Sequence, residues 1–357
     1  MDIFVAILIA FILSFIAVSA VNPIAVKVGL VDVPNARKRH SGNVPLVGGI
    51  AIFFAVIFEI VFYVDSGWQV DLYLLASTLV VTIGALDDRY DLKVSYRLLA
   101  QTLAALIMII GAGLYIDDLG DLLGFGIVEL GYGGVLFTIV AVMGGINAFN
   151  MVDGIDGLVG CLSLVSFSSL AFLLALVDSY WLFLPVFFMG AILAYLMFNL
   201  GWPSKKAKKI FMGDAGSMLI GFTVVWLLVV GTQEEEVAFH SVTALWIIAV
   251  PLMDMAAIMC RRMLKGESPF KPDRNHLHHI FIRAGFTSRQ ALLVITLTAS
   301  LLAMFGVAMQ LLEVKEWVSL SLFLSVFALY CWQLQYIWRA VSRIRRLLSR
   351  TGVQGAR

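Results

Sequence analysis

Residues 133–177 read GGVLFTIVAVMGGINAFNMVDGIDGLVGCLSLVSFSSLAFLLALV. Two apolar runs, 133–148 and 158–177, flank a polar turn, and the only charged side chains in the stretch are Asp153 and Asp156. Each run approaches the roughly 20 residues that a helix needs to cross a bilayer. The pattern predicts two spanning helices whose connection brings carboxylates, amides and glycines to one membrane surface.

The rest of the chain has the same character. It is 357 residues long, 61% hydrophobic and 14% charged, with a mean hydropathy of +0.95. Ordinary soluble domains are about 45–50% apolar and about 25% charged. Such a composition excludes a water-soluble domain, a disordered chain and a disulfide scaffold. Cys161, Cys260 and Cys331 all fall in apolar runs and are odd in number. Eleven candidate spans lie near 3–21, 45–64, 71–86, 96–116, 133–148, 158–177, 180–200, 210–230, 241–260, 291–312 and 317–338. A half-helix is a further option within 119–132, and 3–21 does not read as a cleaved leader because Asp2 precedes it.

Lys and Arg collect in short loops on the cytoplasmic side. With eleven spans, 23 of the 25 basic residues fall in the odd-numbered gaps or the tail, and Arg97 lies just inside the fourth span. The even-numbered gaps hold acidic residues and Lys315 alone. This predicts an all-α polytopic protein with its N-terminus periplasmic and its C-terminus cytoplasmic. Residues 1–338 form one transmembrane domain with cytoplasmic loops at 22–44, 87–95, 147–157, 201–209 and 261–290, and 339–357 form a basic tail. Arg339, Arg343, Arg346 and Arg350 recur at helical spacing there, which suits anionic headgroups, a partner protein being the alternative.

Four polar clusters sit on the cytoplasmic side. Asp87-Asp88 ends the third span, where negative charge opposes the helix dipole; it suggests a bound cation or proton transfer, or a terminus paired with Arg89 and Lys93. Asn147, Asn150, Asp153 and Asp156 recur every third residue, so a continuous helix makes them one polar stripe, beside Gly154 and Gly157. That suits a base, a sugar or a metal-bound phosphate; pairing between helices is the structural alternative. Phe211-Met-Gly-Asp214-Ala-Gly-Ser217 opens the eighth span after Lys205, Lys206, Lys208 and Lys209. Free N–H groups there suit an anion, and Asp214 is either a cap or a Mg²⁺ ligand. The fourth cluster is Pro272-Asp-Arg274-Asn-His276-Leu-His278-His279. A helix leaves only His276 and His279 on one face, so phosphate donors or a proton role fit better than zinc. Asp254, inside the ninth span, is left unassigned between function and helix pairing.

Arg37-Lys38-Arg39-His40-Ser-Gly, Pro45-Leu-Val-Gly-Gly49, Asp87-Asp88, NAFNMVDGIDGL, FMGDAGS and HLHH, in this order, resemble the motifs of the polyprenyl-phosphate N-acetylhexosamine-1-phosphate transferases, over residues 25–290. MVDGIDGL and DRNHLHH are most similar to the branch that acts on UDP-GlcNAc. The resemblance implies transfer of GlcNAc-1-phosphate from UDP-GlcNAc to undecaprenyl phosphate with release of UMP. Mg²⁺, or Mn²⁺ in its place, is the implied cofactor. The setting is a bacterial inner membrane with a cytoplasmic active site, and the reaction initiates a lipid-linked surface polysaccharide such as O antigen or enterobacterial common antigen. The implied partners are the two substrates and the bilayer, with no nucleic acid; a homodimer is compatible. GalNAc, a deoxy-amino sugar or MurNAc-pentapeptide are alternative donors, and a transporter is the rival class.

Carried onto this chain, the resemblance implies Asp214 as metal ligand, with Asn150 or Asp153 in support. Asp87 and Asp88 deprotonate or orient the lipid phosphate, and Asp153 joins them in catalysis. Asp156 reads the uracil beside Phe211, within a nucleotide site that includes Asn147. His276, His278, His279 and Arg274 engage the pyrophosphate or sugar, and Lys38, Arg39 and His40 meet the acceptor phosphate. Direct in-line attack is favoured over a phospho-aspartate.

Overall fold

A computed structural model describes residues 2–33, 42–65, 67–202, 209–234, 236–269 and 276–350, the last sixteen as backbone only. The fold is helical. In chain order come α1 (Ile3–Val28), β1 (Val31–Asp32), β2 (Val44–Pro45), α2 (Gly48–Tyr63), α3 (Trp68–Tyr90), α4 (Val94–Leu106), α5 (Gly133–Val152), α6 (Leu158–Leu176), α7 (Phe183–Leu200), α8 (Gly213–Gln233), α9 (Ser241–Ile247), α10 (Ala249–Leu264), α11 (Leu277–Arg283), α12 (Ser288–Leu311) and α13 (Glu316–Arg350).

Among the described residues, nine helices are long and apolar enough to cross a membrane. The pair α9 and α10, bent by 85° at its junction, is long and apolar enough only when the two are taken together. The shorter α2 is apolar over its 16 residues. All eleven fall on the apolar stretches read from the sequence. The bend has a local cause. Pro251 has no N–H for the carbonyl of Ile247, and Ser166 donates its hydroxyl to that oxygen instead, at 3.1 Å. Residues 119–132 hold no half-helix; Asp118 and Glu129 pair there in a single isolated antiparallel bridge.

The centre of the molecule is α8, whose apolar window is 94% buried, against 22% for α1 and 11% for α13. Apolar side chains meeting lipid gain nothing by exchanging it for one another, so close helix contact in a membrane relies on small residues. A Cβ on Gly49 of α2 would lie 2.1 Å from Cα of Gly216, and one on Gly84 of α3 would lie 2.4 Å from Cα of Ala215. On the α5 side, a Cβ on Gly221 would lie 2.6 Å from Cα of Ile146. Three helices thus approach α8 backbone to backbone, two of them at its first turn. The strand pair extends the same contact: Phe211 N–H donates to Pro45 O, and the N–H groups of Gly48 and Gly49 donate to Phe211 O and Met212 O.

Candidate active site

The helix ends converge at the start of α8. Asp88, near the C-terminus of α3, accepts hydrogen bonds from the N–H groups of Asp214 (2.9 Å) and Ala215 (3.2 Å). Its neighbour Asp87 is buried and accepts from Leu92 N–H (2.7 Å) and from Arg97 Nη1 (2.9 Å) of α4. The same Nη1 lies 3.8 Å from Asp214 Oδ2. From α5, Asn150 Nδ2 donates to Asp214 Oδ1 (2.7 Å) and to Ser217 Oγ (3.0 Å). Asp214 is therefore gripped on one oxygen by an amide, while its side chain keeps 34% of its surface accessible.

This geometry alters three expectations. The α8 N–H groups expected for an outside anion are occupied by Asp88. The charge that opposed its own helix dipole sits at the favourable end of another helix. Asp214 is not the cap, since Met212 holds that position and the Asp214 carboxylate turns to Asn150 and Arg97. Arg97, not Arg89 or Lys93, pairs with Asp87; Arg89 Nε donates instead to Val28 O at 2.9 Å and stacks over Tyr90.

The 153–157 turn forms the second part of the site. The predicted stripe is interrupted because α5 ends at Val152 and Gly157 takes a φ of +79°, which starts α6 in a new direction. Asn147 faces α4, donating to Gln101 Oε1 at 3.0 Å. Asn199 of α7 locks the turn, accepting from Gly157 N–H (2.6 Å) and donating to Ile210 O (2.8 Å). Asp153 is half-buried at the C-terminus of α5; burial and the charges of Asp214 and Asp156 push its carboxyl up to about 7. Asp156 pairs with Lys209 at 2.7 Å, and the Lys209 ammonium lies over the Phe211 ring, 5.2 Å from its centroid. Asp156 and Phe211 are thus brought to one spot, with a cation between them.

The third part is the histidine segment. His276 is extended (φ −63°, ψ 155°) and α11 begins only at Leu277. The expectation that only His276 and His279 share a face assumed an earlier helix start. The three imidazoles instead form a row, with centroids 5.8 Å apart for His276 and His278 and 4.2 Å for His278 and His279. His278 is buried, and a Cβ on Gly154 would lie 2.0 Å from its Nε2, so this ring rests on the 153–157 turn. Burial and the neighbouring His279, His276 and Arg283 push the His278 imidazole down to about 2, so it is neutral. Leu277 and Phe281 pack beside Val152 and Leu158 and fix the segment there.

Arg97, Asn199 and Gln101 were missed by sequence reading. Arg97 is the one with a signal, being an ionisable residue within a predicted span. Asp254 is no longer unplaced, since its Oδ2 lies 2.9 Å from His276 Nδ1. Lys38, Arg39, His40 and Arg274 lie outside the described residues, as do Lys205, Lys206 and Lys208.

A divalent cation fits the donor set. Among the described residues no three His, Cys, Asp or Glu side chains already form a ligand cage. Mg²⁺ favours hard oxygens and takes one or two carboxylates together with substrate phosphates. The accessible Asp214 carboxylate, with Asp153 nearby and Asn150 oriented by contact, offers that kind of partial shell.

Comparison with known proteins agrees with this architecture. The family described as Glycosyl transferase family 4 matches residues 70–232, which run from α3 through α8. The undecaprenyl-phosphate alpha-N-acetylglucosaminyl 1-phosphate transferase of Yersinia pestis is 48% identical over 342 residues, covering 95% of this chain and 93% of that one. The Escherichia coli (strain K12) protein of the same name is 46% identical over 335 residues, covering 92% and 90%. The Pasteurella multocida one is 43% identical over 352 residues, covering 97% of each. With identity at this level along nearly the whole helical scaffold, and with the acidic cluster on helix ends inside the matched segment, the chain belongs to glycosyl transferase family 4.

Proposed function

We propose that this chain transfers GlcNAc-1-phosphate from UDP-GlcNAc to undecaprenyl phosphate, giving undecaprenyl-diphosphate-GlcNAc and UMP. The observation that carries the reading is the meeting of Asp88, Asn150 and Asp214, from three helices, at one end of the bundle. The relatives' shared name supplies the substrate class.

In the reaction an oxygen of the lipid phosphate attacks the phosphorus that bears the sugar. The bond from that phosphorus to the bridging oxygen breaks, and UMP leaves with the electron pair. Two anions must meet, so the main task is positioning and charge compensation. Mg²⁺, held by Asp214 with Asn150 in support, would supply charge neutralisation on the pyrophosphate. Arg97 stands beside Asp214 as a fixed cation, and Asp87 and Asp88 hold Arg97 and the start of α8 in place. Asp153, titrating near neutrality, is the carboxylate suited to exchange a proton with the acceptor phosphate. Lys209, Asp156 and Phe211 offer a cation, an acceptor and a ring to the nucleotide. The histidine row lies across the 153–157 turn from them, where the sugar phosphate can be met.

The same proposal includes the membrane arrangement: eleven spans, counting the bent α9–α10 pair and α2, with the N-terminus outside and the site on the cytoplasmic side of the inner membrane. UDP-sugars are cytosolic and the acceptor tail stays in the bilayer, so both substrates reach such a site.

The test is UMP release by the purified protein. Release should require UDP-GlcNAc, undecaprenyl phosphate and Mg²⁺ together, and fall away on chelation. UMP release without the lipid would overturn direct attack in favour of a covalent enzyme intermediate. No release under any UDP-N-acetylhexosamine would overturn the functional reading itself.

A further inference from the structure

Asp254 is 1% exposed within α10, yet three polar groups from two other segments, the start of α11 and α13, converge on it. Its Oδ1 accepts from Leu277 N–H at 3.0 Å and from the Tyr330 hydroxyl of α13 at 2.8 Å; its Oδ2 lies 2.9 Å from His276 Nδ1. A buried carboxylate is costly unless such partners satisfy it. One side chain thus starts α11, anchors the last spanning helix and fixes the first ring of the histidine row.

We propose that Asp254 is a positioning residue for the transfer reaction, holding His276 as the Nδ1–H tautomer with its Nε2 lone pair available, and that Tyr330 holds Asp254 in the orientation this requires. The proposal rests on the reading that the histidine segment serves the transfer. The chemistry follows from the donor count. An ionised carboxylate is acceptor-only, so a ring nitrogen 2.9 Å away must carry the hydrogen. Both remaining donors fall on Oδ1, which leaves Oδ2 to the imidazole alone. The ring's other nitrogen is then the acceptor in its neutral form. His276 lies parallel to His278, 4° between the planes, and His278 rests on Gly154, so the orientation set at Asp254 is carried to the catalytic turn through a packed stack.

Asparagine separates this role from mere support. In Asp254→Asn the two donors at Oδ1 keep the amide oxygen in place. The amide nitrogen is thereby turned to His276, where it donates rather than accepts and favours the opposite tautomer. The experiment uses the full-length protein in lipid nanodiscs, labelled with ¹⁵N-histidine. The His276 resonance is assigned by its loss in His276→Gln.

The wild-type His276 should carry its proton on Nδ1, and Asp254→Asn should move it to Nε2. In the transfer assay Asp254→Asn should lower kcat by about 100-fold or more, with KM for UDP-GlcNAc changed less than about threefold. Tyr330→Phe should keep the Nδ1 proton and lose less than about tenfold. Asp254→Asn added to His276→Gln should cost little more than His276→Gln alone, because the first acts through the second. A wild-type proton on Nε2, a spectrum unmoved by Asp254→Asn, or losses that multiply in the double variant would each overturn the proposal. Were the wild type to release no UMP, the functional reading would fail, while the wild-type spectrum would still decide the Asp254–His276 assignment.

Discussion

Asp88 and Asp214 are in contact, and the partner of Asp88 could not be told from sequence. Asp214 was legible as a metal candidate because a carboxylate beside glycines at a helix start has few other uses. Asp88 looked misplaced, a negative charge at a helix C-terminus. The missing information was tertiary: its partner is the N-terminus of α8, 126 residues away, where the same charge is favourable. Arg97 was hidden for a related reason, since nothing local marks it as the group shared by Asp87 and Asp214. Substitutions should separate the duties of the two aspartates. Asp88→Ala removes the acceptor for two α8 N–H groups and should cost about 1–2 kcal/mol in addition to activity. Asp214→Asn keeps an oxygen for Asn150 and should leave the thermal midpoint in detergent nearly unchanged while abolishing transfer. Retained turnover in Asp214→Asn would discard its assignment as metal ligand, and a lowered midpoint there would make it structural.

At the scale of helices, apolar length marked each spanning stretch, and polarity marked the turn at 153–157. Neither could mark α8 as the centre, since its hydropathy of 1.9 equals that of α5. The available signal was its small residues, Gly213, Gly216 and Gly221, which permit close backbone approach. Gly84→Ala should therefore act as an overpacking change, its methyl meeting the Ala215 backbone, and lower stability by about 1–3 kcal/mol. Gly133→Ala in α5, with open space around the new methyl, is the control and should be neutral or slightly stabilising. A thermal-shift series in which both behave alike would refute the account of α8. The seating of α11 has a pH signature. His278 stays neutral in the folded protein down to about pH 2, whereas an unfolded histidine takes up a proton below about 6.5. The unfolded chain then binds more protons, so this residue's contribution weakens stability as pH falls below about 6.5, by at most about 1.4 kcal/mol per unit, and has no effect above it. Asp153 acts with the opposite sign, since its raised carboxyl holds a proton in the folded chain that the unfolded one has given up. His278→Phe should therefore make the pH slope of the thermal midpoint between about 5 and about 6.5 less positive than in the wild type; an unchanged slope would show that the ring is not seated as described.

For the molecule as a whole, the sidedness of the basic residues makes a prediction that the helices alone do not. Lys315 is the only basic residue in any gap assigned to the outside, and the acidic cluster of the site shares its end of the bundle with the remaining loops. If that assignment holds, the 112–132 segment faces the periplasm and the α10–α11 connection faces the cytoplasm. Phe125, 96% exposed, and Leu264, 88% exposed, are suitable reporters because replacing either disturbs no packing. In a background with Cys161, Cys260 and Cys331 replaced, Phe125→Cys should react with a membrane-impermeant maleimide in intact spheroplasts. Leu264→Cys should react only after the membrane is opened. The converse pattern would put the acidic cluster on the side without UDP-sugars and refute a cytosolic nucleotide donor, even with the fold unchanged. Labelling of both from one side would instead show that the number of spans between them is even, contrary to the five counted there, α5, α6, α7, α8 and the bent α9–α10 pair.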